Sequence, residues 1–277
     1  MINSITQLIE AIQGDLSIWD AGAKPWFRGE SGIQPPLCPK ISKYTASQEN
    51  YFMQSFRRQA GAFANVPPRV AHTDLWLFLA QHYGVPTRLL DWTEGALHAL
   101  YFAVIRGCPN PRVYMLNPHK LNDLAGSKTD VINYPLSWSR GGSIYVSLAW
   151  QMRVLGTEQQ ALIDGIGIDL TVPFAFPATY QDQRMIAQRS CFTIHGISLV
   201  PLGEILKGKN VKLSEYLIEY QINTADRNSL LKELSVLGVS GATMFPDLDH
   251  LASDLVFDIG VFDIGVIDVE SDDPSVS

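Results

Sequence analysis

The chain is poor in the residues that build metal centres and disulfide frameworks. Its three cysteines, Cys38, Cys108 and Cys191, stand far apart with no C-x-x-C pair. That pattern fits neither a disulfide scaffold nor a zinc site, and a reducing cytoplasm is the expected home. The six histidines are scattered without metal-ligand spacing, and H-E-x-x-H is missing, so no metal is expected. Neither a GxxxxGK[ST] loop, a GxGxxG fingerprint nor G-x-S-x-G occurs. Metallohydrolase, P-loop NTPase and α/β-hydrolase chemistry are therefore disfavoured. No stretch approaches the roughly 20 apolar residues that span a bilayer. The opening MINSITQLIE lacks the basic start and long apolar run of a signal peptide. A soluble protein with no membrane partner is the expectation. Positive charge is also in deficit. The formal net charge is −7, so unspecific attraction to nucleic-acid phosphates should be poor, although a local basic pocket could hold an anion.

What is present fits a well-packed globular chain. Of 277 residues, 46% are hydrophobic and 18% charged, enough for a large core. No Gly/Ser linker divides the chain, so residues 1–257 read as one domain. Residues 258–277 read as an acidic tail, in which a repeated VFDIG leads into residues that meet no lysine or arginine. Ile5, Leu8, Ile9 and Ile12 share a helical face. Ser4 and Gln7 can form a capping box before it, and Gly14 can end it. A helix is expected over 47–63. RVYML (112–116), SIYVS (143–147), CFTIH (191–195) and LIEYQI (217–222) read as strands. A helix precedes CFTIH at 181–188, and another runs through Leu230, Leu231, Leu234 and Leu237 to Gly238. Asp247 can cap a last helix through Leu248, Leu251 and Leu255. The block at 71–107 reads as a helix from Thr73 to Gly84, a structured turn, then a helix capped by Asp91 with Glu94 as its N3 partner. Together these predict an α+β fold: a single mixed domain with a central, mostly antiparallel sheet flanked by helices.

The chemistry concentrates in a few places. In KPWFRGE (24–30), Arg28 follows an aromatic pair and precedes Gly29. A guanidinium presents a planar fork of donors suited to phosphate or carboxylate, and a glycine allows a close approach or a bulge. The plain alternative is an arginine paired with Glu30, Asp91 or another carboxylate. The turn QHYGVPTRLLDWT (81–93) crowds His82, Tyr83, Thr87, Arg88 and Asp91 between apolar segments. It is either an architectural turn or one wall of a site. His82 sits in a helix's last turn, where the dipole favours a positive imidazole. Asp247 in MFPDLDH can be a helix cap or a catalytic acid. Glu219 can be solvent-facing, and one hydroxyl of Ser190 or Thr193 can contact a ligand, with a buried, satisfied hydroxyl as the main expectation.

Taken together, Phe27-Arg28-Gly29, QHYGVPTRLLDWT, AQRSCFTI and FPDLD resemble the FRG domain, over about residues 20–255. The family often has Gln-Gly or Gln-x-Gly before the phenylalanine, where this chain has Gln188, Arg189, Ser190 and Cys191. The family's bacterial and phage settings imply a toxin or phage-defence component. The aromatic-Arg-Gly is also similar to the first element of one branch of the ADP-ribosyltransferases, with CFTI in the place of the second. No Ser-Thr-Ser and no [Gln/Glu]-x-Glu are present. This resemblance implies NAD as substrate, with Arg28 on its diphosphate and His82 or Arg88 on ribose or phosphate. Tyr83 or Phe192 would stack on nicotinamide, and Asp247 or Glu219 would supply the acid. Arg28, His82 and Asp247 are then the catalytic candidates, and Arg28, Tyr83, Arg88 and Asp91 the cofactor contacts. The acceptor would be protein or nucleic acid, and a neutralising antitoxin or chaperone is the implied partner. A non-catalytic module for an anionic ligand and a metal-independent nuclease using His82 are the alternatives.

Overall fold

The computed structural model describes residues 1–19, 24–32, 36–63, 73–126, 168–178, 180, 182–225 and 227–258. The strand expected at 143–147 and the tail beyond Asp258 lie outside the described residues. The strands are β1 (Trp26–Glu30), β2 (Leu89–Thr93), β3 (Arg112–Leu116), β4 (Phe174–Pro177), β5 (Ser190–Ile194) and β6 (Leu217–Gln221). They form one sheet in the order β4-β5-β2-β1-β3-β6, and each of these pairings is antiparallel. The helices are α1 (Ile5–Leu16), α2 (Ala46–Ala60), α3 (Thr73–His82), α4 (Ala96–Val104) and α5 (Pro118–Leu124). They continue with α6 (Gln183–Ala187), α7 (Leu202–Gly208), α8 (Arg227–Val236), α9 (Gly241–Met244) and α10 (Leu248–Asp258). The α+β architecture with an antiparallel sheet and flanking helices is as the sequence predicts.

Alternation along β1 and β3 divides two cores. Trp26, Tyr114 and Leu116 pack with residues of α2, α3, α5 and α7. Phe27, Val113 and Met115 pack with α1, α4 and α8 on the opposite face. Strands buried on both sides need apolar residues at successive positions, which is why WF and VYML read as continuous runs. Gly29 lies on the α4 face, opposite Val113. A Cβ there would sit 1.8 Å from the Ala99 carbonyl oxygen and 2.6 Å from the Ala103 nitrogen. The missing side chain after Arg28 therefore lets a helix backbone press onto the strand, and it does not open a path for a ligand.

Several local expectations change. Ser4 caps α1 as expected, accepting from the Gln7 N–H, but the helix runs past Gly14 to Leu16. The segment between α3 and α4 is not a simple turn, because LLDWT is a central strand. Asp91 sits in that strand, so it does not cap α4. The N-cap is Gly95, and the Gly95 N–H is taken by the Thr93 hydroxyl at 3.1 Å. LLDWT, buried at every position but Asp91, fits a central strand covered on both faces better than a second turn of helix. At the sheet edge, the Asn122 amide bonds both the N–H and the carbonyl of Ala175, closing part of β4's open ladder.

Candidate functional site

The arginine that opens the question is partly spent on the fold. Arg28 Nε donates to Glu30 at 2.7 Å, and Nη1 donates to the Asp91 carbonyl at 2.7 Å. The register of β1 against β2 is held at Phe27 and Thr93, and the guanidinium bridges the strands beyond it. The Asp91 carboxylate lies 4.0 Å from Nη1. Burial alone would lower the Arg28 pKa; Glu30 and Asp91 outweigh it, so the charge is held more firmly than usual. Arg28 keeps 22% of its side-chain surface exposed, so one side of the fork still reaches solvent.

Arg88 has a different fate. It is 2% exposed and is engaged bidentately by Glu49 of α2, with Nη1 donating to the Gly196 carbonyl at 2.7 Å. A guanidinium whose donors are consumed inside the core cannot contact a ribose or phosphate, so its assignment to cofactor binding is withdrawn. The physical reason is that the turn carrying Arg88 leads into a central strand, which points the side chain inward.

Gln81, His82, Tyr83 and Asp91 of the 81–93 block do reach the surface, whereas Thr87 and most of LLDWT are buried. Gln81 donates to the Asp91 carboxylate at 2.7 Å and accepts from Thr87 at 2.6 Å. Gly84, at φ +82°, ends α3. His82 Nδ1 lies 3.3 Å from Asp182, and Tyr83 meets the His82 ring edge-on at 4.9 Å while staying well exposed. Burial lowers the His82 pKa against the opposing pull of Asp182, so the imidazole is neutral near pH 7. Desolvation thus acts against the positive ring that a helix C-terminus favours.

Asp247 caps α10 as expected: one oxygen accepts from the His250 N–H at 2.9 Å and lies 2.7 Å from that residue's Nδ1. These bonds hold its carboxyl below the usual range. The His250 ring stacks on Phe245 with centroids 4.3 Å apart. Glu219 shares a sheet row with Arg28, since both stand opposite Tyr114, and it lies 3.4 Å from Arg112. Thr193 is buried and accepts from the Trp92 indole at 2.9 Å, a satisfied hydroxyl as expected. Phe192 is buried against Phe78 at 4.9 Å, which removes it as a nicotinamide platform.

One functional candidate was missed. Arg184 of α6 sits over the Phe245 ring at 4.5 Å, and among the described residues its guanidinium makes no hydrogen bond or close ion pair. Burial lowers its pKa, and Asp91, Asp182 and Asp247 are all close enough to oppose that shift. Arg28 and Arg184 thus share the field of Asp91, and His82 shares that of Asp91, Asp182 and Arg184. Asp91, Asp182 and Asp247 act on an arginine that no motif marked, and that arginine acts in turn on His82, while Arg28 shares Asp91 with it. Stacking on an aromatic ring fixes the guanidinium plane without consuming its donors, which leaves them for an anion. Among the described residues, no three His, Cys, Asp or Glu side chains gather to hold a metal ion.

The absent glycine before Phe192 also has a local explanation. Arg189 adopts φ +48°, the left-handed region a glycine would occupy without strain. The turn is retained at a cost of about 1 kcal/mol, with Arg189 paired to Glu94 at 3.2 Å.

Comparison with known sequences and structures agrees with part of the resemblance. No curated protein and no solved structure matches the chain. AQRSCFTI and FPDLD fall outside the family match, which covers less than half of the chain. That match runs from the approach to β1 through the turn and β2 to the end of α4: residues 23–110 correspond to the FRG domain.

Proposed function

We propose that the chain binds NAD at the cluster around Arg184 and transfers its ADP-ribose to an acceptor, as an intracellular toxin or phage-defence effector. The observation that supports this reading is Arg184, stacked on Phe245 in the field of Asp91, Asp182 and Asp247 and itself acting on His82, against whose ring the exposed Tyr83 packs. Arg184 and the exposed side of Arg28 would hold the diphosphate. Carboxylates would bond ribose hydroxyls and stabilise the positive charge that develops as nicotinamide leaves. Asp247 and Glu219 remain the two acids for that role. Tyr83 is the aromatic surface for the nicotinamide ring. A neutralising antitoxin or chaperone would cover this rim.

Labelled NAD incubated with the protein and cell extract should yield labelled acceptor and free nicotinamide. Asp247→Asn, at a half-exposed position, should remove most of that activity while leaving the fold intact. A folded protein that releases no nicotinamide with extract, RNA or DNA refutes the transfer reading. A second reading, an anion-binding module without chemistry, is favoured by the commitment of Arg28 Nε and Nη1 to Glu30 and the Asp91 carbonyl. Under that reading a nucleotide raises Tm, Arg184→Ala abolishes the rise, and no product forms.

A further inference from the structure

Asp182 does two jobs with its two oxygens. Oδ1 accepts from the Met185 N–H at 2.8 Å, capping α6, and this fixes Oδ2 3.3 Å from His82 Nδ1. The edge of Tyr83 packs against the imidazole and limits its rotation. An imidazole faced by a carboxylate at Nδ1 keeps its proton there and presents Nε2 as an acceptor. The His82 side chain is 24% exposed, so the ring reaches the surface where Arg184 and Asp91 lie. This is the arrangement of an oriented base beside an anion-holding cation. Arg184, two residues after Asp182 and within electrostatic reach of His82, has donors to place a phosphate near that base.

We propose that His82, oriented by Asp182, takes the proton from a hydroxyl acceptor, so that the linkage formed is an O-glycoside and not an ester; this rests on the ADP-ribosyl transfer reading. The acceptor oxygen bonds to the ribose carbon that carried nicotinamide, and the ribose–nitrogen bond breaks. Its electron pair returns to the pyridinium nitrogen, giving neutral nicotinamide, and the hydroxyl proton moves to Nε2. An ionised carboxylate acceptor would need no base, whereas a hydroxyl loses its proton only as the new bond forms. The groups that face His82 are Asp182 and Arg184 of α6, Asp91 of β2 and Tyr83. Burial holds the ring neutral below the ordinary histidine range. Transfer should therefore persist to mildly acidic pH before falling.

The full chain is incubated with labelled NAD and bacterial cell extract, and the labelled product is treated with neutral hydroxylamine. Label that survives supports a hydroxyl acceptor; label that is released overturns the base while leaving transfer intact. Absence of nicotinamide release removes the underlying reading and the base with it. His82→Gln should lower transfer about 100-fold, with NAD binding retained. Asp182→Asn should also slow transfer, and it should move the acid limb of the pH profile to lower pH, because the carboxylate that favours the imidazolium is lost. If Asp182→Asn lowers Tm but leaves the profile in place, Asp182 only docks α6 on α3, and the proposal fails.

Discussion

Two arginines, Arg88 just before β2 and Arg184 on α6, show how differently one side chain can be used. Arg88 lies in an interior knot with Glu49, the Gly196 carbonyl and the buried His195, whose backbone N–H bonds the Arg88 carbonyl. Arg184 lies at a rim, stacked on Phe245, with acidic neighbours at a distance and its donors unspent. The first holds α2 to the sheet, and the second is available to a ligand. Prominence in the motif and freedom of the donors therefore run in opposite directions: the arginine of TRLLDWT is consumed inside, and the unmarked one keeps its donors among the described residues.

The largest test of this contrast breaks the interior knot. Glu49→Ala leaves the Arg88 charge buried and uncompensated, which should cost about 3–5 kcal/mol, read as a lower denaturation midpoint at unchanged m-value. A second test uses pH. Burial holds the His195 imidazole down at about 3 in the folded chain, with Arg88 and Arg28 adding to the effect and the Val200 backbone opposing it. The unfolded chain takes up that proton near pH 6.5, so between those values the unfolded state binds more protons, and stability is lost as pH falls and regained as it rises. The slope from this group is up to about 1.4 kcal/mol per pH unit, and His195→Phe should flatten a plot of urea midpoint against pH. The smallest stability effect is expected at the rim. Arg184→Ala should change folding stability by no more than about 0.5 kcal/mol while removing any shift of Tm by NAD. A large loss of stability there would erase the distinction between the two regions.

The sequence made much of the scaffold legible. The strand at 112–116, the cap at Ser4, the cap at Asp247 and the end of α8 before Gly238 follow from alternation, capping chemistry and glycine stops. In sequence LLDWT looks like part of a turn between helices, because five residues between two apolar helices carry too short a period to separate strand from helix entry. The plain pairing of Arg28 with Glu30 and Asp91 was also foreseeable, since both carboxylates stand close by in sequence or across the sheet. Arg184 was not, because a single arginine in QRMIA carries no local signal. Its importance comes from Phe245 and Asp247, contributed by a distant segment.

By itself, the amino-acid sequence determined which stretches could bury apolar surface and where helices start and stop, because those choices are made by neighbours a few residues apart. It also fixed the aromatic-Arg-Gly and TRLLDWT segments that match the FRG domain. Tertiary structure decided which charges are neutralised inside and which remain usable. That outcome depends on desolvation and on carboxylates brought in from remote parts of the chain: Glu49 for Arg88, Glu30 and Asp91 for Arg28, and Asp182 for His82.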